Sequence, residues 1–335
     1  MQKKEMNVKG KIVKSIYAGN IYPEKCEQVR KEFIIKDKEK TMKQIENIVL
    51  KGKVMTNYIF NYYFAEIAYD TKYYNTPCTV NEVLNNDEWL SFYITNCEAK
   101  PNLYKPDKMS LAAGVKVFMQ LNTSITRMIS NFSLKSAKQL LTKYSDGGVY
   151  LDPCCGWGVR MLAAAALDME YIGFDVNKPL IDKLNELGND IKKVKPDFKF
   201  TIYEQGSQYY VPELKNKANV ILTSPPYFNL EDYNHRECEE NDTITNNDYE
   251  NWLKDFVAPM LKNCYNYLED DSYCLMNVKD FNGYTLEDDF AKLGEQAGFI
   301  IASDNESYNL VKRASNNRDK ITGKEKVIVL KKEKK

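Results

Sequence analysis

The stretch that decides the fold is Tyr150-Leu-Asp-Pro-Cys-Cys-Gly-Trp-Gly-Val-Arg160. It reads as the end of an apolar strand, a turn with two glycines and the start of an apolar helix. Gly156 and Gly158 allow positive φ angles and a close approach of the backbone to a ligand. The first turn of the helix offers N–H groups that have no partner within the helix. The pattern therefore predicts a ligand-binding turn between a strand and a helix.

Two residues of this segment indicate the kind of ligand. A nicotinamide dinucleotide site would carry a third glycine, in the pattern G-x-G-x-x-G, where this chain has Met161. Asp152 ends the strand, and its carboxylate would repel a diphosphate but attract an ammonium or sulfonium group. The segment thus favours a cationic ligand, and a purely structural turn is the alternative.

Polar residues also follow the next two predicted strands. Asp175 ends the second strand, where a carboxylate is well placed to accept hydrogen bonds from two ribose hydroxyls. An acidic residue at both strand ends indicates S-adenosylmethionine rather than a dinucleotide. The third strand runs into Glu204-Gln-Gly-Ser207, where a polar side chain is a candidate to bond the adenine amino group.

The segment Val220-Ile-Leu-Thr-Ser-Pro-Pro-Tyr227 is the most informative in the chain. Its two prolines end strand pairing and hold the residues before them extended. Ser224 and Pro225 therefore present a rigid row of oxygen acceptors, and Pro226 has no N–H that competes for them. A strand-ending loop without a chemical role is the alternative.

Such acceptors suit methyl transfer to the exocyclic amino group of a base. The lone pair of that nitrogen is delocalised into the ring, and acceptors that take its two hydrogens favour the tetrahedral, nucleophilic form. Stacking on Tyr227, worth roughly 1–3 kcal/mol, would help to offset the cost of unstacking the target base. This chemistry needs no histidine, and His235 is the only one in the sequence.

Strands and helices alternate after about residue 130. This alternation predicts an α/β fold with a seven-stranded, mostly parallel, Rossmann-like sheet. The strands are predicted at Val149–Asp152, Tyr171–Asp175, Phe200–Tyr203, Val220–Thr223, Tyr273–Val278, Phe299–Ala302 and Val327–Leu330. Before residue 130, apolar residues recur at three- and four-residue spacings, which predicts helices. We therefore divide the chain into a mainly helical N-terminal region, 1–130, and a catalytic domain, 131–335.

Composition excludes several classes of protein. The 335 residues include 47 basic and 47 acidic side chains, so the chain is not a strongly basic, histone-like DNA binder. One histidine and eight cysteines without a C-x-x-C pair give no basis for a metal site. The absence of an apolar leader and of a ~20-residue apolar span predicts a cytoplasmic protein without membrane contact.

Charge is unevenly distributed along the chain. Residues 1–55 and 308–335 each carry a net charge of +7, and residues 228–271 carry −9. The basic ends are either solvated surface and frayed tails or contacts with a polyanion. The stretch between Gly158 and Ser224 is occupied by predicted strands and helices, so it has no room for a domain that recognises the target. The candidates for target recognition are residues 1–130, the loop Phe228–Asp248 and the basic stretch Lys312–Lys326.

The two motifs resemble those of the exocyclic-amino DNA methyltransferases. DPCCGWG is similar to the family's cofactor motif D-P-x-x-G-x-G, and TSPPY is similar to its catalytic motif. Phe132 lies where the family has a phenylalanine-containing element before the first motif. TSPPYFNLEDY and the ending EKVIVLKK resemble phage and restriction–modification enzymes. The resemblance covers roughly residues 130–332.

The resemblance implies roles for individual residues. The cofactor-binding set is Asp152, Pro153, Cys154, Gly156 and Gly158 at the first turn, Asp175 at the ribose, and Ser207 and Phe132. The catalytic set is Ser224, Pro225, Pro226 and Tyr227. The chain departs from the family at Cys154, where phenylalanine is frequent, and at Ser207, where aspartate is common.

We therefore predict a site-specific methyltransferase that uses S-adenosylmethionine and modifies a flipped base of double-stranded DNA. Serine before Pro-Pro is typical of the cytosine N4 enzymes, so this product is favoured over adenine N6. An RNA amino-methyltransferase and an inactive binding subunit with the methyltransferase fold are the alternatives. A cognate restriction nuclease is a candidate partner, and the sequence leaves the recognition site and the oligomeric state open.

Overall fold

The structure is a computed structural model that describes residues 3–73, 75–129, 131–232, 248–302 and 326–334. The strands before residue 130 are β1 (Lys4–Val8), β2 (Lys11–Ser15) and β3 (Lys72–Tyr73). The helices of this region are α1 (Pro23–Phe33), α2 (Lys38–Val49), α3 (Asn57–Tyr63), α4 (Ala65–Ala68), α5 (Val80–Leu84), α6 (Asp87–Glu98) and α7 (Leu111–Leu121).

After residue 130 the chain alternates between helices and strands. The strands are β4 (Val149–Asp152), β5 (Glu170–Asp175), β6 (Phe200–Glu204), β7 (Ala218–Thr223), β8 (Glu231–Asp232), β9 (Leu268–Val278), β10 (Ile300–Ile301) and β11 (Lys326–Lys331). The helices are α8 (Leu134–Tyr144), α9 (Val159–Ala166), α10 (Lys178–Val194), α11 (Tyr249–Trp252), α12 (Ala258–Tyr267) and α13 (Leu286–Ala297). A π-helical turn, Leu253–Val257, joins α11 to α12.

Seven strands form one sheet in the order β10-β11-β9-β7-β4-β5-β6. The pairings among β9, β7, β4, β5 and β6 are parallel, and β11 is antiparallel to both of its neighbours. The predicted α/β fold with a seven-stranded, mostly parallel sheet is confirmed. Six of the predicted strands agree with the observed ones to within two residues, while β9 begins at Leu268 rather than Tyr273.

The sheet is covered on both faces because successive side chains of a strand point to opposite sides. Tyr150 of β4 points into a cluster with helices α8, α9 and α10, and Leu151 points into a second cluster with α12 and α13. Both side chains are 0% exposed. Residues of α2 and α3 belong to the first cluster, so part of the N-terminal region covers the sheet.

The remaining N-terminal elements form their own core around α1, α6 and α7. The hairpin β1–β2 belongs to it and was not among the predicted elements, which were helical. Its two-residue turn is Lys9-Gly10, with φ angles of 47° and 84°. Met6, Val8 and Val13 of the hairpin are buried, so the interpretation of this basic end as a frayed tail is wrong.

Some of the predicted regions fall outside the part of the chain that the structure describes. These are residues 233–247 of the loop Phe228–Asp248, with His235, and the basic stretch Lys312–Lys326 apart from its last residue. Within the described ranges no helix is long and apolar enough to span a membrane.

Candidate active site

The predicted motifs meet where the strand order reverses. From β4 the chain proceeds outward to β5 and β6, and then returns to β7 on the other side of β4. Ligands of open α/β sheets bind outside the carboxyl ends of the strands at such a point. Two turns leave the sheet here. The first turn follows β4 and comprises residues 152–158, and the second turn follows β7 and comprises residues 224–227.

A pair of polar contacts joins the two turns. The backbone N–H of Cys154 donates to the Thr223 hydroxyl oxygen at 3.2 Å, and the Thr223 hydroxyl lies 3.5 Å from the Cys154 carbonyl. Thr223 is 0% exposed and directly precedes Ser224. The turn assigned to the cofactor and the turn assigned to the target base are therefore fixed side by side.

The glycines of the first turn have the conformation that the sequence predicts. Gly156 and Gly158 have φ angles of 56° and 70°, in the left-handed region. A Cβ atom at Gly158 would lie 2.8 Å from Leu187 and 2.9 Å from the ring of Phe64. Helix α9 begins directly after Gly158, and no side chain caps its first N–H groups. The space beside Gly158 is thus filled by the chain's own side chains, while the start of α9 presents backbone N–H groups that have no partner within the helix.

Asp152, by contrast, is enclosed and fully engaged. Its Oδ2 accepts hydrogen bonds from Arg160 Nε at 2.8 Å and from the Tyr171 hydroxyl at 3.0 Å. Its Oδ1 accepts from Arg160 Nη2 at 3.2 Å and from the Cys154 N–H at 3.4 Å. The carboxylate is 0% exposed. Its assignment to the cofactor stays a prediction, and Arg160 is a partner that the sequence reading missed.

Asp175, at the end of β5, is half-buried and makes no ion pair within the described residues. Burial raises the pKa of its carboxyl to about 6, an effect that the neighbouring Asp152 charge reinforces. The backbone N–H groups of Asn177, Val176 and Gly156 act in the opposite direction on this pKa. The Asn177 N–H donates to Asp175 Oδ1 at 3.0 Å. The glycine turn therefore lies beside an acidic group that keeps acceptor capacity for hydroxyl donors.

Ser207 lies in the loop after β6, next to the first turn. It is 4% exposed, and its hydroxyl makes no hydrogen bond of regular geometry within the described residues. It adjoins the Cys154 thiol. Burial raises the pKa of this thiol, and Ser207 has a smaller effect in the opposite direction. Asn263 Nδ2 donates to the Ser207 carbonyl at 3.0 Å and fixes this loop. The assignment of this hydroxyl to the adenine amino group stays a prediction.

Phe132 and Pro153 are also in this neighbourhood. The Arg160 guanidinium lies 5.3 Å from the centre of the Phe132 ring, a cation–π contact. Pro153 is buried directly after Asp152. The predicted cofactor set is thus grouped around the carboxyl ends of β4 and β5.

The second turn is built on a residue of the neighbouring strand, Asn277 of β9. Its Nδ2 donates to Ser224 Oγ at 3.2 Å and to the Tyr227 hydroxyl at 3.0 Å. The Tyr227 hydroxyl also lies 3.1 Å from Ser224 Oγ and donates to the Asn277 carbonyl at 3.1 Å. Asn277 lies beside Ser224 because β7 and β9 pair Thr223 with Met276.

Counting hydrogens in this network assigns the role of Ser224. Tyr227 has one hydroxyl hydrogen, and the Asn277 carbonyl takes it. The bond between the two hydroxyls must therefore be donated by Ser224. Ser224 Oγ accepts once, from Asn277, so one of its two lone pairs remains for a further donor.

The residue after Tyr227 sets the direction of the chain. Phe228 has a φ angle of 50°, which is strained for a side chain of this size. Its ring is 1% exposed and lies edge-on to Tyr249 and Tyr284, at 5.4 and 5.2 Å between ring centres. The strain, roughly 1–3 kcal/mol, is offset by this aromatic packing.

The N-terminal region reaches the site at two places. Strand β3 pairs with β8, which begins four residues after Tyr227. Phe60 and Phe64 lie edge-on to Trp157 of the first turn, each 6.4 Å from it between ring centres. Residues before position 130 therefore support both the loop that follows the second turn and the glycine-containing first turn.

Several lysines of the basic N-terminal region are engaged in ion pairs. Lys14 pairs with Glu5 at 2.7 Å and Lys25 pairs with Glu98 at 2.7 Å, both at exposed or half-exposed positions. Exposed pairs of this kind stabilise a fold by ~1 kcal/mol at most. Contact of this region with DNA stays a prediction.

No protein-family model and no curated protein matches the chain. Among solved structures, a TehB-like SAM-dependent methyltransferase from Corynebacterium glutamicum is 16% identical, with a TM-score of 0.37 over 59% of this chain and 87% of that chain. The 1,6-didemethyltoxoflavin-N1-methyltransferase of Burkholderia thailandensis, with bound S-adenosylhomocysteine, is 12% identical, with a TM-score of 0.40 over 60% and 78%. The magnesium protoporphyrin IX methyltransferase of Synechocystis, with bound SAM, is 13% identical, with a TM-score of 0.38 over 59% and 77%. At such identities and scores we take no substrate or activity from these structures.

Proposed function

We propose that the protein is an S-adenosylmethionine-dependent DNA methyltransferase that modifies an exocyclic amino group of a flipped base, with cytosine N4 favoured. The observation that carries the proposal is the contact between Cys154 and Thr223. It fixes the glycine turn next to Ser224-Pro225-Pro226-Tyr227 at the reversal of the strand order. A methyl donor and a base amino group would have to meet at this point.

The residues in and around the first turn fit the proposed cofactor. Asp175 would accept the ribose hydroxyls, and the buried Ser207 hydroxyl would accept the adenine amino group. Gly156, where a Cβ atom would have one ordinary contact, with Arg160 Nη2 at 3.6 Å, would leave space for the methionine part. The ion pair Asp152–Arg160 and Asp175, which has no ion pair with the described residues, together carry one negative charge, and this complements a ligand with two cationic groups and one carboxylate.

When bound, S-adenosylmethionine supplies an electrophilic methyl group. Ser224 Oγ would accept a hydrogen bond from one N–H of the target amino group through its remaining lone pair. The carbonyl of Pro225 or of its neighbour would accept a hydrogen bond from the other N–H. These fixed acceptors would stabilise the tetrahedral nitrogen on which positive charge develops, and Tyr227 would stack on the base. As the nitrogen–methyl bond forms, the methyl–sulfur bond would break, the neutral thioether would leave, and the methylated nitrogen would lose one proton to solvent.

The cysteines of the site do not fit a covalent mechanism. A cytosine C5 enzyme attacks its base with a thiolate. Burial raises the pKa values of Cys154 and Cys155 well above the usual range, so both remain thiols at neutral pH. Direct transfer to an amino nitrogen needs no such nucleophile.

The experiment combines methyl transfer with nucleoside analysis. The purified protein is incubated with double-stranded DNA, single-stranded DNA or RNA and labelled S-adenosylmethionine, and the products are digested for mass spectrometry. We expect N4-methylcytosine in DNA. N6-methyladenine would change the base but not the mechanism, methylated RNA alone would favour the RNA enzyme, and 5-methylcytosine would refute the proposal.

Ser224→Ala should lower kcat by about 10²–10³-fold, since it removes one fixed acceptor from the transition state. The affinity for S-adenosylmethionine should change less than about twofold, because Ser224 does not belong to the first turn. Ser272→Ala is the matched control, at the opposite end of the sheet, and should keep wild-type turnover. Equal turnover of the two variants would contradict the role of Ser224.

A further inference from the structure

The carboxylate of Asp152 has no free acceptor site for a ligand. A carboxylate offers about four lone-pair positions to donors. All four hydrogen bonds come from within the chain, two from Arg160 and one each from Tyr171 and Cys154. Because Asp152 is also 0% exposed, it cannot contact the methionine part of a cofactor without losing one of these donors.

Arg160, in contrast, retains donor capacity. Its contacts within the described residues use Nε and Nη2, the latter bonded to Asp152 and to the Cys154 carbonyl. The other terminal nitrogen, Nη1, has no such contact there. Arg160 is only 4% exposed, but Nη1 is not among the fully enclosed polar atoms of the described residues that lack a partner, which include Asn131 Oδ1 and Ser207 Oγ, so this nitrogen keeps a small accessible area.

The guanidinium is also fixed beneath the glycine turn. A Cβ atom at Gly156 would lie 3.6 Å from Arg160 Nη2, so the group lines the space that Gly156 leaves. Asp152 and the Cys154 carbonyl hold its plane from one edge, and the Phe132 ring lies 5.3 Å away. A guanidinium held in this way loses little side-chain entropy when it binds a carboxylate.

We infer that Arg160 binds the carboxylate of the cofactor's methionine part, and that Asp152 is a positioning residue that holds Arg160 and does not touch the cofactor. This inference rests on the proposed function and deepens it. It explains why a buried carboxylate at the first strand end is paired with a cation of the chain. Arg160 balances Asp152 and presents its remaining N–H groups to the one anionic group of the ligand.

The test uses two ligands that differ only in the carboxylate, S-adenosylmethionine and decarboxylated S-adenosylmethionine. Calorimetry with the full chain gives both affinities for the wild type and for Arg160→Gln. We expect the wild type to prefer the carboxylated ligand by about 10- to 150-fold, the range for one charged hydrogen-bonded contact. In Arg160→Gln the two affinities should agree to within about threefold. Arg127→Gln, in the N-terminal region, is the matched control and should keep the wild-type preference.

Arg160→Gln leaves a buried carboxylate without its cation and could fail to fold. The double variant Asp152→Asn/Arg160→Gln replaces the ion pair with neutral groups of similar shape, and it should lose the preference in the same way. Retention of the wild-type preference in either folded variant would overturn the inference and leave the proposed function intact. A wild-type protein that binds neither ligand would overturn the proposed function itself.

Discussion

Asp152 and Asp175 end adjacent parallel strands, yet their environments differ in every respect that affects a carboxylate. Asp152 is completely enclosed, and Arg160 neutralises it with two hydrogen bonds. Asp175 is half-buried, and among the described residues only backbone N–H groups support it. The pKa of Asp175 is raised to about 6 because burial is not compensated by a cation.

The difference indicates which of the two acidic strand ends stabilises the fold and which binds a ligand. Asp152, whose charge is neutralised and whose acceptor positions are all occupied, contributes to the structure of the turn. A carboxylate that is kept partly desolvated without a cation costs stability, and such groups are concentrated at functional sites. Four substitutions or conditions test this division of roles.

Asp152→Ala should have the largest effect. It leaves the Arg160 guanidinium buried without its counter-ion, and removing one partner of a buried pair typically costs about 3–5 kcal/mol. Urea denaturation followed by tryptophan fluorescence measures the free energy of unfolding. Asp175→Ala should leave it unchanged or raise it, since no ion pair of the described residues is broken and a desolvated carboxylate is removed. Similar losses in the two variants would remove the distinction.

Asp175→Ala should instead affect the cofactor. Loss of a charged acceptor for ribose hydroxyls costs about 1.5–3 kcal/mol, or 10- to 150-fold in affinity for S-adenosylmethionine. The measurement is calorimetric titration of the folded variant. Asp182→Ala, at an exposed position of α10, is the matched control and should bind as the wild type does. An unchanged affinity in Asp175→Ala would assign the ribose to another residue.

The pH dependence of binding should report the same carboxyl. The ionised form of Asp175 accepts the ribose hydroxyls, so affinity should be constant above about pH 6 and fall by up to about tenfold per unit below it. The stability of the free protein should respond in the opposite direction. A pKa raised above the unfolded value of 3.8 gives a contribution that is present in acid and lost as the pH rises through about 6. Asp175→Asn should abolish both trends, and their persistence in this variant would point to a different group.

Tyr171→Phe should have the smallest effect. It removes one of four donors to Asp152 and leaves the Arg160 contacts in place, so we expect a loss of about 1 kcal/mol of unfolding free energy. Thermal and urea denaturation measure it, with Tyr203→Phe on the next strand as a control. A loss as large as that of Asp152→Ala would show that the hydroxyl, rather than the guanidinium, sustains the carboxylate.

The sheet and its turns could be predicted from the sequence because they depend on local patterns. Apolar runs fix β4 and β5, and the left-handed angles at Gly156 and Gly158 agree with the residue type at those positions. The hairpin β1–β2 carried a local signal too. Met6, Val8 and Val13 alternate with polar residues around Lys9-Gly10, and both central residues of such a tight turn need positive φ angles.

The partners of the site residues could not be predicted in the same way. Arg160 reads as one polar residue in the apolar segment VRMLAAAA, and only the shape of the preceding turn brings it back to Asp152. Asn277 is 53 residues from Ser224 and becomes its neighbour through the strand order. A polar residue within the apolar run Cys274–Val278 was the available signal, but its partner depends on which strands lie side by side.

The pairing of β3 with β8 affects how this protein could be re-engineered for a new target. A chimaera that exchanges residues 1–130 with those of another enzyme would also replace the backbone to which Glu231 and Asp232 are bonded. Such a graft therefore needs one crossover point near residue 130 and another after residue 232, so that β3 and β8 come from the same parent enzyme. A library that recombines the two segments independently would contain many members in which the strand opposite β8 no longer matches it.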